Sequence, residues 1–448
     1  MQLRYLRRSG KYILYTISFL CFYFIFDNLF PGDPSKHEHY ETKRAMNSRY
    51  HSSHKENLSD ENAPNGGSVD KLSELINSRR RPGNVNSNSA VLPNSPQSQK
   101  NKYNNNENYC ENTIQYFYLD IPPEPKLKHV YNVLSKKFNA KITSDITKAN
   151  VIWYWYFPYS KKKRNGIEIS ATTINENTQI LNNVPGTNFF TTKEYFVTNF
   201  IRDYIPEAHV AITPYLQENR RNYKWVIKHN DHRGIALYNQ QQFKALDAKI
   251  ADNTFLQRFI DNVFLIDGYK FDVALYVTLT NSRRNMAPKI SIFNEWLLRF
   301  CPQKYNENHV DGYVIHDEYK HPSTIKTLNF DDKIYNGREA LLEYLERRDI
   351  PIAKTLENKM HQIIRDVVNS HTYQIEQNTE RWSQNKLYNF FQMVRFDFII
   401  DSNYKVWLME INMSPNLDSG HFAANAVLYE RVIEWALREG YHDRCLDE

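Results

Sequence analysis

Between Val394 and Leu417 the chain reads VRFDFIIDSNYKVWLMEINMSPNL, and this stretch restricts the possible folds more than any other. Two apolar, β-prone runs, Val394 to Ile400 and Lys405 to Ile411, flank Asp401-Ser402-Asn403-Tyr404, whose residue types suit a short hairpin loop. Pairing Ile400 with Lys405 sets Asp397 opposite Leu408. The two-residue alternation of strand side chains then puts Asp397, Glu410 and Asn412 on one face. Two carboxylates and an amide oxygen, with no Cys or His beside them, form a donor set for a hard cation such as Mg²⁺ that also holds substrate phosphates. Acidic residues facing water on a half-buried hairpin are the rival reading. An Asp inside an otherwise apolar strand, facing Glu-x-Asn, argues for the metal.

The rest of the chain has to supply what such a site needs. A length of 448 residues with 41% hydrophobic content can bury a large core and suggests more than one folding unit. A mean hydropathy of −0.68 is low for that, so part of the chain is expected to be unstructured. Thirteen glycines are too few for a glycine-rich phosphate loop, and the protein-kinase sequences HRD and DFG are missing. The net charge of +6 favours an acidic partner without choosing among nucleic acid, an anionic membrane and an acidic protein tail. Cys21, Cys110, Cys301 and Cys445 show no CxxC spacing and indicate neither a zinc site nor a disulfide framework.

Four segments follow from composition. Residues 1–11 are basic, with Arg4, Arg7, Arg8 and Lys11 ahead of an apolar run over 12–30 that is just long enough to cross a bilayer. The positive-inside rule makes this run an uncleaved signal anchor with the N-terminus cytoplasmic, a single-pass type II arrangement. A cleaved signal peptide is the alternative, but no small-x-small site follows the run. Residues 31–111 are Asn, Ser, Lys, Glu and Pro in no periodic order and are expected to form a disordered linker. Ordered sequence occupies 112–448, where strands alternate with helical patterns in an α/β (α+β) domain.

Within that domain IQYFYLD and Val151 to Phe157 read as strands, the second largely buried. Asn183 to Gly186 reads as a turn, and Thr192 to Tyr204 as a capped helix. KWVIK ends a strand on Lys228, and Phe255 to Ile260 and Leu265 to Thr280 supply more strand. Lys270 and Asp272 share one face, and Ile290 to Phe300 carries Arg299. Lys, Asp and Arg on successive strands facing one cleft suit a nucleoside triphosphate. The Lys161 to Arg164 loop is a solvated charge run or a contact for an acidic substrate. Helices are expected at Arg338 to Arg348, Glu357 to Asn369 and Ala423 to Glu439, the last with Leu428, Val432, Ile433 and Ala436 inward.

Taken in order, KWVIKHNDHRGIAL, Gln257-Arg258-Phe259-Ile260, LIDGYKFD, Asn294 to Phe300 and the opening hairpin resemble the tubulin tyrosine ligase-like family of ATP-grasp amino-acid ligases, over roughly residues 112–440. The resemblance implies an ATP-grasp-like fold. It also implies a ligase that adds glutamate to glutamate side chains of tubulin or another acidic protein tail through an acyl phosphate, with ATP and Mg²⁺ and no nucleic acid. By the same resemblance Asp397, Glu410 and Asn412 hold Mg²⁺. Lys228, Gln257, Arg258, Phe259, Ile260, Lys270 and Asp272 bind the nucleotide, and Arg299 and Lys270 act at the reacting phosphoryl group. Trp407 and Phe259 also read as packing residues.

Two positions depart from the pattern. The family carries an arginine two residues after the KFD aspartate, where this chain has Ala274, and that arginine serves the reacting centre. The family's His-Leu-Thr-Asn segment has no counterpart in Val310 to His321, where His316 reads as a surface histidine. A nucleotide-binding pseudoenzyme is therefore the alternative function. Anchor plus stem alone would suggest a luminal glycosyltransferase, which lacks an Asp-x-Asp motif here.

Overall fold

The computed structural model describes residues 114–159, 179–213, 216, 223–229, 235–246, 254–281, 286–316, 318–383 and 389–446, all within the unit Pro96–Glu448. The expected basic segment 1–11, membrane span 12–30 and linker 31–111 lie outside them, as does the Lys161 to Arg164 loop. Among the described residues no helix is long and apolar enough to cross a membrane.

The domain is mixed α/β. Its strands in chain order are β1 (Tyr116–Leu119), β2 (Lys141–Ile142), β3 (Val151–Trp153), β4 (Ile180–Asn182), β5 (Ala208–His209), β6 (Trp225–His229), β7 (Ala236–Tyr238) and β8 (Thr254–Arg258). Then follow β9 (Leu265–Ile266), β10 (Tyr269–Thr280), β11 (Lys289–Phe300), β12 (Asn389–Ile400) and β13 (Val406–Asn412). Four of them form a small sheet in the order β5-β8-β6-β7. The others form a nine-stranded sheet along the path β11-β10-β12-β4-β3-β1-β2, with β13 on β12 and β9 on β10.

Strand β12 organises the large sheet because two different strands share one of its edges. Asn389 to Phe391 pair in parallel with β4, while Arg395 to Ile400 pair antiparallel with β13. Its other edge pairs with β10. All twelve of its residues are buried, which explains the near-continuous apolar run. One face, with Val273, Leu275, Phe396 and Phe398, packs on helices α1 (Gly337–Glu346) and α2 (Leu356–Ser370). The opposite face, with Ala274, Tyr276 and Met393, packs on helix α3 (Asn425–Leu446) through Leu428, Val432, Ile433 and Ala436. At the other end of that second face lie Asp272, Asp397 and Glu410.

Several local expectations need correction. The strand expected from Val151 to Phe157 stops at Trp153, because side chains take over its amides: Asn182 Oδ1 accepts from Tyr154 N at 2.6 Å and Asp120 Oδ1 from Trp155 N at 2.8 Å. Tyr156 is consequently 39% exposed. The helix expected from Thr192 to Tyr204 spans only Lys193–Asn199, and Thr192 makes no side-chain cap bond. The hairpin register also differs. Ile400 pairs with Val406 rather than Lys405, and Asp397 pairs with Glu410 rather than Leu408.

That register works through a bulge. Phe398 pairs with Leu408 and Asp397 with Glu410, so Met409 is an extra residue on β13. Had Met409 entered the ladder, Glu410 would have paired with Phe396 and faced the core. The expected face-sharing of Asp397, Glu410 and Asn412 is thus present, on a different register from the one that predicted it.

Candidate functional site

The site begins with a row of paired residues across four strands: Leu297 on β11, Ala274 on β10, Asp397 on β12 and Glu410 on β13. One step along the same face, Asp272 pairs with Arg299. One step the other way, Tyr276 pairs with Arg395 and Arg395 with Asn412. Period-two alternation puts all of these side chains on one side of the sheet.

Their contacts form a closed network. Arg299 donates to both oxygens of Asp272, Nε to Oδ1 at 3.0 Å and Nη2 to Oδ2 at 2.6 Å. Its Nη2 also reaches Asp397 Oδ2 at 2.8 Å. Arg395 grips Asp397 bidentately, Nε to Oδ1 at 2.7 Å and Nη2 to Oδ2 at 2.8 Å. Asn412 Nδ2 donates to Asp397 Oδ2 at 3.0 Å and to Glu410 Oε1 at 3.2 Å. Glu410 Oε2 pairs with Lys193 Nζ at 2.6 Å.

Two more lysines stand nearby. Lys228 at the end of β6 donates to Gln257 Oε1 at 2.7 Å, and the two residues sit on neighbouring strands of the small sheet. Buried Lys270 donates to the Tyr313 carbonyl at 2.8 Å, its ammonium 5.1 Å from the centre of the Phe259 ring. Phe190, Phe196, Phe255 and Met409 line a hollow whose polar wall is Lys193, Lys228 and Glu410.

The electrostatics show how these charges share one environment. Burial alone would raise the Glu410 carboxyl; Lys193, then Lys228 and Arg395, outweigh it and hold the group well below the usual carboxylate range. Desolvation pushes the Lys228 ammonium down to about 8, against the attraction of Glu410, while Lys193 and Lys270 push the same way as burial. Burial lowers Lys270 as well. Asp272 is raised to about 6 by burial, which Arg299 offsets in part and Asp397 reinforces.

The residues fit a hard cation. Among the described residues no three His, Cys, Asp or Glu side chains are grouped so as to hold a metal by themselves, but Asp397 and Glu410 are bridged by one Asn412 nitrogen. Turning the Asn412 amide over would present Oδ1 in place of Nδ2, completing an all-oxygen set of the kind Mg²⁺ accepts.

The sequence candidates separate into groups. Asp397, Glu410, Asn412, Asp272 and Arg299 meet in one network. Lys228 and Gln257 meet each other, and Lys270 approaches Phe259. Arg258 lies with its guanidinium over Tyr223, 4.0 Å from the ring centre, and Ile260 packs with Val263, Ile399 and Trp407. Sequence reasoning missed Lys193 and Arg395. Arg395 was readable, since it lies two residues from Asp397 on the same face of the strand. Nothing local marks Lys193, whose partner is 217 positions away.

The sequence matches the model of the tubulin-tyrosine ligase family over residues 172–445. It is 30% identical over 299 residues to a probable tubulin polyglutamylase of Caenorhabditis elegans, covering 64% of this chain and 55% of that protein. It is 25% identical over 216 residues to a mouse tubulin monoglutamylase, covering 45% and 17%. A tubulin glycylase of Tetrahymena thermophila is 26% identical over 207 residues, covering 43% and 16%. The chain therefore spans about half or less of the length of these relatives.

Proposed function

The chain belongs to the tubulin-tyrosine ligase family, and from that footing we propose that it is an ATP- and Mg²⁺-dependent ligase joining the amine of glutamate to a glutamate carboxylate of tubulin or another acidic protein tail. An acceptor carboxylate oxygen attacks the γ-phosphorus and ADP leaves. The glutamate amine then attacks the acyl carbon of the resulting acyl phosphate, phosphate departs, and the amine loses a proton. The relatives named as glutamylases favour glutamate as the added amino acid.

One observation carries this reading: Asn412 Nδ2 touches both Asp397 and Glu410 inside a ring of Lys193, Lys228, Lys270, Arg299 and Arg395. Three carboxylates, with Asp272, stand against five cationic side chains, an excess of positive charge suited to a polyphosphate. Asp397, Glu410 and Asn412 would hold Mg²⁺, which would supply charge compensation for the phosphates. Lys228 and Lys270 bind phosphate as point charges. Arg299, fixed by Asp272, offsets charge that develops as the phosphoryl group moves. Gln257 orients Lys228, while Phe259 and the Arg258–Ile260 backbone border the space assigned to the base.

A second reading, a nucleotide-binding protein with little ligase activity, draws on the methyl of Ala274 at the middle of the site row. Purified protein given tubulin, ATP, Mg²⁺ and labelled glutamate discriminates them: ATP-dependent incorporation supports the ligase, and nucleotide binding without incorporation supports the alternative. Membrane attachment through residues 12–30 is a further part of the proposal. Protease protection on microsomes tests it and reports which side carries the domain.

A further inference from the structure

Position 274 lacks the guanidinium that the family pattern places there, yet a guanidinium occupies the same part of the site. Ala274 is fully buried and pairs with Asp397 on the adjacent strand. Arg395 pairs with Tyr276, so it is the diagonal same-face neighbour of Ala274, a separation that long side chains span. Its side chain leans along β12 toward the Ala274–Asp397 row, as its two bonds to Asp397 require. Arg299 comes from β11, on the far side of β10, and reaches the same Asp397 oxygen. The two guanidinium groups thus flank the space over Ala274, and a long side chain there would stand between them.

Charge balance argues that Arg395 does more than neutralise a buried carboxylate. Asp272 is satisfied by Arg299, Glu410 by Lys193, and Asp397 already receives Arg299 and Asn412. Arg395 is, with Lys228 and Lys270, among the cations left over from those pairings. With Nε and Nη2 spent on Asp397, its Nη1 makes no hydrogen bond among the described residues.

We propose that Arg395 supplies the guanidinium missing at position 274, holding the transferring phosphoryl group and the acyl oxygen beside Arg299. This rests on the ligase reading given above. The site has moved its arginine from β10 to β12, with Asp397 as the anchor that aims it.

The test uses the full chain. Arg395→Leu is expected to lose about a hundred- to a thousandfold in glutamate incorporation, the usual cost of one preorganised donor, and to lose far more in rate than in Mg·ATP affinity. It is also expected to lose the additional affinity of wild type for Mg·ADP with aluminium fluoride, a mimic of the transferring group. Adding Ala274→Arg to Arg395→Leu should recover at least about tenfold in rate, whereas Ala274→Arg alone should gain little. Arg395→Gln, which can still bond to Asp397 but carries no charge, keeps the test decisive if the leucine variant does not fold. Wild-type rate and analogue affinity in either variant would overturn the proposal. So would a parallel loss of ATP binding, melting temperature and rate that Ala274→Arg fails to rescue. Wild-type protein with neither nucleotide binding nor incorporation would instead sink the ligase reading itself, before any variant is made.

Discussion

Asp397 and Glu410 face each other across β12 and β13 because Met409 is left out of the ladder between Leu408 and Glu410. The bulge, rather than regular alternation, sets the carboxylate pair. Deleting Met409 should therefore preserve the site, since Glu410 would follow Leu408 and still pair with Asp397. Mg·ATP affinity is expected to stay within about threefold, at a cost of about 1–2 kcal/mol from lost packing. Inserting one alanine after Met409 should abolish Mg·ATP binding by sending Glu410 to the core face. Isothermal titration and thermal unfolding measure both.

Lys228 gives the protein a pH limit. Desolvation lowers its ammonium from 10.5 to about 8, and only the protonated form attracts phosphate. As pH rises through about 8 the free protein loses this charge, so kcat/KM for ATP should fall by up to about tenfold per pH unit. Lys228→Arg retains its charge and should remove that limb from a profile over pH 7 to 9.5.

Lys193 holds Glu410 ionised. Because the Glu410 carboxyl is depressed in the folded state, its contribution to stability is present above the ordinary carboxylate value of 4.5 and is lost as pH falls through its lower folded value. Lys193→Met should cost about 1–3 kcal/mol at pH 7, with the difference from wild type shrinking in acid. Chemical denaturation at pH 7 and pH 3 reads the effect.

How much of this was visible in the sequence depends on the range over which each feature is determined. The β12–β13 hairpin and the inward face of α3 follow from local periodicity and came through intact. The hairpin register did not, because a bulge is decided by packing on both faces of a sheet: Trp407 beside Ile399 and Ile411 beside Phe396 cannot both be satisfied without an extra residue. The early end of β3 was equally hidden, since Asn182 and Asp120 capture its amides from outside the strand. Lys193 reaches Glu410 only through tertiary structure. Arg395 was legible by the same alternation that selects Asp397.

The turn that delivers Lys193 is tightly fitted. Gly186 has φ of +90°, and a Cβ placed on it would lie 2.7 Å from the Cα of Ile375. Strain and overlap act together, so Gly186→Ala should destabilise the protein by about 3 kcal/mol. A loss of Mg·ATP affinity should accompany it as the helix carrying Lys193 shifts, which calorimetric melting and titration would show together.

The central claim is that Asp397, Glu410 and Asn412 form a Mg²⁺ site that serves ATP. Its most direct measurement is the thermal shift produced by ATP with and without Mg²⁺, in wild type and in Glu410→Gln, alongside glutamate incorporation. Wild type should be stabilised by ATP only when Mg²⁺ is present, and Glu410→Gln should lose both that shift and incorporation. An unchanged Mg²⁺-dependent shift and unchanged incorporation in Glu410→Gln would contradict the account.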